Sequence, residues 1–304
     1  MSQLPTLRQL QFIIALAEHG SFSRAAEAVF VTQPTLSAAI KELEAILGTV
    51  LVERGARGAV LTPAGEAVLE RARRVMTEAE DLVIAAQAAG EPLSGPFKLG
   101  VIPTIAPFLL PRVLPALRER FPDIELFLRE DLTDRLFDAL RERRIDAALI
   151  ALPYDAPMIE THAVWADEFL FAAPPDHALA RKKTLAPSDL SEEPLLLLED
   201  GHCLRDHALA ACATGSARSD FAATSLHTLV HMVKSGLGAT LLPRMAVDAG
   251  LVDRMGLEVR PFDPPVVGRE IGVAWRKGSA RSDEAIQLGD AIRDILQTAP
   301  SGGS

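Results

Sequence analysis

A chain of 304 residues, 48% hydrophobic and 24% charged, has apolar material for two or three globular domains. Its net charge of −10 excludes a protein held to nucleic acid by bulk charge, since even residues 1–92 carry 8 Lys+Arg against 11 Asp+Glu. A motif-driven DNA reader with a few well-placed cations remains allowed. The N-terminus lacks the basic-then-apolar pattern of a secretory leader, and no run approaches the ~18 apolar residues of a membrane helix. A cytoplasmic protein with no membrane partner is therefore expected.

Apolar residues at 7, 10, 14 and 17 predict an amphipathic helix ended by Gly20. Ser21 or Ser23 can cap a second, alanine-rich helix running through Val29. Thr32 is the expected N-cap of a third, with Pro34 in the first turn, where its missing N–H is harmless. Leu36, Ile40, Leu43 and Leu47 form the apolar stripe of that helix, and Gln33, Thr35, Ser37 and Lys41 the opposite one. Two short helices, a tight turn and a polar-faced second helix make a helix-turn-helix pattern, and the glycine-bearing stretch 53–58 reads as a wing. The residues expected to meet DNA are Thr32, Gln33, Pro34, Thr35, Ser37, Lys41, Arg54 and Arg57. Glutamine suits an adenine edge and arginine a phosphate.

Thr62-Pro63 opens a long helix. Val68, Ala72, Val75, Ala79, Leu82, Ala86 and Ala89 are spaced alternately by four and three, a coiled-coil seam that favours dimerisation over packing on its own domain. Residues 91–96 are a hinge by composition. The expected domains are thus a winged helix-turn-helix over 1–61, a linker and dimerisation helix with hinge over 62–92, and a regulatory domain over 93–304.

From Phe97 strands alternate with helices: strands over 98–102, 124–128 and 145–152, and helices over 109–120 and 134–144. The pattern continues through 169–173, 195–198, 225–235, 239–242 and 271–275 to a last helix near 283–297. This implies an α/β fold with a parallel sheet under helices, arranged as two subdomains around a cleft. Thr104 and Thr133 follow the first two strands, at the ends where α/β sheets bind ligands. Plain helix capping is the other reading, and for Thr133 alone the stronger one. The tail after Ala299 is disordered by composition.

Cys203 and Cys212, the two cysteines of the chain, lie nine positions apart behind four leucines and a Glu199-Asp200-Gly201 turn. The leucines read as a buried strand, and 204–214 as a short helix closed by Gly215. Cys203 then sits at the helix start, flanked by His202 and Arg205, where positive partial charge and cations favour a thiolate. The bland alternative is two small buried apolar residues. An apolar filler needs none of the His, Arg and Asp that crowd Cys203. His202, Cys203, His207 and Cys212 lack the usual zinc spacings, so no metal and no cofactor is expected.

The run S-F-S-R-A-A-E-A-V-F-V-T-Q-P-T-L-S-A-A-I-K-E-L-E-A-I-L-G, then L-V-E-R and L-T-P-A-G-E, resembles the winged helix-turn-helix of LysR-type transcription regulators. V-I-P-T-I-A-P, L-L-P-R-V-L-P, A-T-S-L-H-T-L and R-E-I-G-V-A-W-R are similar to the family's regulatory domain, whose two α/β subdomains are of periplasmic-binding-protein type. L-L-L-L-E-D-G-H-C-L-R-D, with a second cysteine nine residues on, resembles the family's peroxide-sensing members, and the likeness covers residues 4–298. It implies a regulator of antioxidant genes rather than an enzyme, acting as a homotetramer, a dimer of dimers, on promoter double-stranded DNA. RNA polymerase, hydrogen peroxide and cellular dithiol reductants would be its further partners. It also implies that Cys203 is peroxidatic and Cys212 resolving, with Thr104, Thr133, His202, Arg205, Asp206 and Arg269 holding or activating peroxide. Val52, where phenylalanine is usual, His207 and 213–220 depart from the pattern. A regulator of the same family that binds a small organic effector in its cleft is the alternative.

Overall fold

The computed structural model describes residues 4–55, 58–87, 92–154, 156–191, 193–211, 222–264 and 266–298. The chain divides into two compact units, residues 1–89 and 90–304.

In the first unit α1 (Leu7–His19) starts at a reciprocal cap: the Thr6 hydroxyl accepts from the Gln9 N–H, and the Gln9 amide oxygen accepts from the Thr6 N–H. Gly20 ends it at φ 61°, a left-handed conformation open to glycine, and donates its N–H to the Leu16 carbonyl. α2 (Phe22–Ala28) follows Ser21, whose side chain makes no cap bond, and α3 (Gln33–Leu47) follows Thr32, whose side chain does. Leu10, Phe12, Ile13, Leu16, Leu36, Ile40 and Leu43 converge with Leu51 in one core. Full burial of each large apolar side chain stabilises the unit by about 1.5–3 kcal/mol. Leu47, last of the expected stripe, stands beyond that core at the helix end and is exposed.

β1 (Val52–Gly55) and β2 (Gly58–Leu61) pair antiparallel as the wing; its tip, residues 56–57 with Arg57, lies outside the described residues. The Glu44 carboxylate accepts from the Leu51 and Val52 N–H groups and ties the wing to α3. α4 (Pro63–Gln87) begins where the Thr62 hydroxyl accepts from the Gly65 N–H. Gly65 is required there, because a Cβ would stand 2.2 Å from the Leu51 carbonyl oxygen. The expected seam divides along this helix. Val68 and Ala72 pack into the unit's own core, whereas Val75 is 45% and Leu82 72% exposed. The Ala86 side chain and Ala89 lie outside the described residues.

The second unit runs β3 (Gly95–Val101), α5 (Ala106–Arg120), β4 (Ile124–Glu130), α6 (Thr133–Arg141), β5 (Ala147–Leu152) and β6 (Ile159–Ala173). It continues through β7 (Leu197–Leu198), α7 (Cys203–Ala211), β8 (Ala222–Ala223), α8 (Leu226–Lys234), β9 (Thr240–Pro243), α9 (Arg244–Asp248), β10 (Glu258–Arg260), β11 (Gly268–Arg276) and α10 (Ser282–Thr298). β3 is parallel to both β4 and β5, as the strand–helix alternation implies. The sheet as a whole is mixed, not parallel: β11 lies between β5 and β6 and is antiparallel to both. The alternation stops after β5, where the chain enters β6 with no crossover helix. β11 then returns in the opposite sense.

β6 is also much longer than the expected 169–173. Its first half pairs with β11, while its second half, from Phe169, pairs antiparallel with β9 and β10. One strand therefore belongs to both subdomains. β7 pairs with β8, and Leu195 bridges to Ala239 beside β9. Phe97, Phe137, Phe169 and Phe171 are fully buried in one core. Leu93 is buried there too, and Gly95 and Pro96 already belong to β3, so the second half of the compositional hinge is ordered structure. The tail from residue 299, like Cys212, 213–220 and Gly215, lies outside the described residues. Among the described residues no helix is long and apolar enough to cross a membrane.

Candidate functional site

β7 ends in a turn where Gly201 takes φ 94°, open to glycine because it has no Cβ. The turn hands the chain to α7, whose first residue is Cys203. Four of the expected site residues meet here. Thr104, Thr133, His202 and Cys203 line one pocket with Ile102, Pro103, Leu132 and Gly201, and its volume of about 10 Å³ suits about one water molecule. Cys203 Sγ lies 2.6 Å from Thr133 Oγ1. Thr133 opens α6, but Leu132 occupies the cap position and no side chain caps it, so the Thr133 hydroxyl is spent on the cysteine rather than on its helix.

Arg269, fully buried on β11, stands behind this pocket. Its Nη1 donates to Thr104 Oγ1 at 2.8 Å, its Nη2 to the Thr104 carbonyl at 3.0 Å, and its Nε to Asp167 Oδ2 at 3.1 Å. Asp167, equally buried on β6, accepts the Met245 N–H on its other oxygen at 3.0 Å. Burial pushes the Asp167 carboxyl up and the Arg269 guanidinium down, and each partner opposes the other's shift. Losing one member of such a pair costs about 3–5 kcal/mol. Sequence reasoning missed Asp167. The signal was a carboxylate inside a strand-like run, Trp165-Ala166-Asp167-Glu168-Phe169-Leu170, where only a partnered charge is tolerable.

The remaining expected residues are placed elsewhere. Arg205 sets its Nε 3.0 Å from Asp200 Oδ1 and donates from Nη1 to the Leu198 carbonyl, closing the turn before α7. Asp206 is exposed, and neither residue lines the pocket. Burial pushes the Cys203 thiol up from its ordinary value, although the Thr133 hydroxyl, the residue's own backbone N–H and Arg269 pull it down. The expectation of a thiolate at a helix start is thus outweighed by desolvation, with Arg205 turned onto Asp200. Burial likewise lowers His202, which keeps its ring neutral at pH 7. One helical turn beyond Cys203, His207 is partly buried, and its Nδ1 has no hydrogen-bond partner among the described residues.

In the first unit the Thr32 hydroxyl accepts from the Thr35 N–H at 3.4 Å. Thr32, Gln33, Pro34, Thr35 and Lys41 are exposed, Ser37 is half-buried, and Arg54 sits in β1 of the wing. Residues 7–66 match the model of the bacterial regulatory helix-turn-helix protein, lysR family, and residues 90–297 that of the LysR substrate binding domain. The chain belongs to the LysR family. This LysR-family protein is a transcription regulator, not an enzyme, and binds DNA through its helix-turn-helix. It is 41% identical over 297 residues to a probable hydrogen peroxide-inducible genes activator of Mycobacterium avium, covering 97% of this chain and 95% of the relative. Among solved structures it resembles a full-length cysteine-to-aspartate variant of Pseudomonas aeruginosa OxyR, with TM-score 0.76 and 36% identity over 99% of this chain and 97% of the other. A hydrogen peroxide-bound cysteine-to-serine variant of Corynebacterium glutamicum OxyR is similar with TM-score 0.67 and 36% identity, over 98% of this chain and 94% of that one. The LysR-family chain is therefore OxyR-like in sequence and in fold.

Proposed function

We propose that this LysR-family regulator senses hydrogen peroxide by reversible formation of a Cys203–Cys212 disulfide and so controls antioxidant genes. The observation that carries this reading is Cys203 Sγ, 2.6 Å from the Thr133 hydroxyl, in a pocket of about 10 Å³ shared with Thr104 and His202. Such a space suits a molecule little larger than water and speaks against an organic effector at this point. In the proposed reaction an S–O bond forms at Cys203 as the peroxide O–O bond breaks. The departing oxygen takes up the thiol's proton and leaves as water, and Cys203 becomes a sulfenic acid. The Cys212 thiol then displaces that oxygen as a second water, closing the disulfide, which dithiol reductants reopen. Thr104, Thr133 and His202 orient the peroxide, and Arg269 acts through Thr104. Asp206 and Arg205 act from outside the pocket: Arg205 by fixing the turn, Asp206 by its charge.

The full-length reduced protein, given a stoichiometric peroxide pulse, should lose two hydrogens by intact mass, located to a Cys203–Cys212 peptide. An unchanged mass, or oxygen added at methionine alone, would remove the proposal.

Residues 62–92 serve in this reading as linker and dimerisation helix. Exposed Val75, Leu82 and Val83 on α4 support that role. The regulatory domain has an apolar edge of its own, with Phe127 and Leu128 exposed on β4, the last strand of its sheet. Two pairing surfaces per chain suit a dimer of dimers on promoter DNA, within reach of RNA polymerase.

On DNA, α3 enters the major groove with Gln33 at a base edge, and the two wing arginines, whose side chains lie outside the described residues, are assigned to phosphate. Gln33→Ala should cost about 1–3 kcal/mol at one base position, whereas Arg54→Ala should weaken all sequences alike and flatten the salt dependence. Competition binding with operator variants at two salt concentrations separates the two effects. Unchanged base preference in Gln33→Ala would show that another element reads the sequence.

A further inference from the structure

We propose that Asp167 is a positioning residue for the peroxide site, holding the Arg269 guanidinium so that the Thr104 hydroxyl turns its proton toward the pocket beside Cys203. The inference rests on the proposed reading of Cys203 as the peroxide-reactive thiol. Its grounds are geometric. Asp167 and Arg269 have no exposed side-chain surface, and Asp167 lies on β6 where that strand passes from one subdomain to the other. One carboxylate oxygen takes Arg269 Nε, and the other takes the Met245 N–H, so the carboxylate cannot swing. The guanidinium it fixes is planar, and this sets Nη1 on the Thr104 hydroxyl oxygen and Nη2, itself 3.1 Å from Asp167 Oδ2, on the Thr104 carbonyl.

A hydroxyl has one proton to give and lone pairs to receive. Because Arg269 can only donate, it takes a lone pair of Thr104 Oγ1 and leaves the hydroxyl proton free to donate elsewhere. Thr104 lines the pocket with Cys203, so that proton is available to an oxygen bound there. A donor aimed at the departing oxygen assists O–O cleavage, in which that oxygen must gather charge before it leaves as water. Asp167 does not line the pocket, and the path from it to Thr104 runs through Arg269.

The test compares two reactions of Cys203 in the full-length reduced protein, each followed by intact mass with Cys212 replaced by serine. Hydrogen peroxide needs the oriented donor, whereas iodoacetamide reports the access and ionisation of the sulfur. Asp167→Asn should lower the peroxide rate at least tenfold while changing the iodoacetamide rate less than threefold. A general loosening of the fold would instead raise or lower both together, and that outcome, or an unchanged ratio, overturns the proposal. Asp167→Asn strands a buried guanidinium, so Arg269→Gln and the double variant Asp167→Asn/Arg269→Gln are measured as well. If Asp167 works only through Arg269, these two should share one peroxide-to-iodoacetamide ratio; a further fall in the double variant overturns the inference even where Asp167→Asn alone does not fold. Should Cys203 of the chain with Asp167 intact react with peroxide no faster than free cysteine, the reading of the site fails first. Should it react fast, and equally fast with Asn at 167, this inference alone fails.

Discussion

Cys203→Ser is expected to abolish the transcriptional response to peroxide altogether, leaving DNA binding intact. Serine keeps the shape of the side chain and its contact with Thr133 but offers no sulfur to oxidise. Cys212→Ser should behave differently: Cys203 reaches the sulfenic acid, trappable with a dimedone-type reagent, but no disulfide forms. The two cysteines are therefore unequal. In the reduced protein Cys203, among Thr104, Thr133 and His202, should be oxidised orders of magnitude faster than a free cysteine at the same pH. Because burial holds its thiol above the ordinary range, alkylation of Cys203 by iodoacetamide should still be rising with pH beyond the free-cysteine midpoint near ~8.5. The advantage toward peroxide then comes from oriented partners rather than from a standing thiolate. Equal oxidation rates at Cys203 and Cys212 would refute this assignment.

The second large effect lies in α7. From Cys203 to Ala211 the helix advances about 12 Å. A disulfide needs Cα atoms within about 7 Å. Closing the bridge must therefore unwind α7, releasing Leu204 and Ala208 from burial and freeing partly buried Leu209. Constraining a loop of this length contributes roughly 3 kcal/mol in the chain-entropy model. Opposing terms of this size allow two states close in free energy, as a switch needs. Hydrogen exchange should thus be slow over 204–211 in the reduced protein and fast in the oxidised one, and the DNase footprint should shift as the two helix-turn-helix pairs are re-spaced. Identical protection and identical footprints in both states would sink this mechanism, even with the disulfide present.

The helix-turn-helix was legible because local signals agree there. Thr6, Thr32 and Thr62 cap, Gly20 and Gly48 terminate, and Leu36, Ile40 and Leu43 recur at helical spacing. The pocket was legible in part. Thr104 and Thr133 were found at strand ends, yet the sequence could not show that Arg205 turns to Asp200 or that burial outweighs the helix start at Cys203. Such outcomes depend on contacts between distant segments. The same holds for Asp167, which meets Arg269 across 102 positions, and for β11, whose insertion between β5 and β6 no local pattern announces. The first half of β6 was missed because its polar residues disguise a strand that is only partly covered. The α4 seam shows the limit of periodicity: one repeat serves the unit's own core at Val68 and Ala72 and is left exposed at Val75 and Leu82.

A sensor must also stay silent, and the space around Cys203 bears on that. With about 10 Å³ beside the sulfur, admission joins the reactivity conferred by the oriented partners in the choice among oxidants. Oxidised glutathione must bring an S–S bond into line with the attacking sulfur, and a lipid hydroperoxide must bring its alkyl chain. Both reach the sulfur only by displacing the side chains that line the pocket, which hydrogen peroxide need displace far less. If Cys203 is the peroxide-reactive thiol proposed here, false alarms from the ordinary thiol–disulfide traffic of a cell would thereby be held down while the smallest peroxide is let in. A variant that opened the pocket would exchange this discrimination for promiscuity.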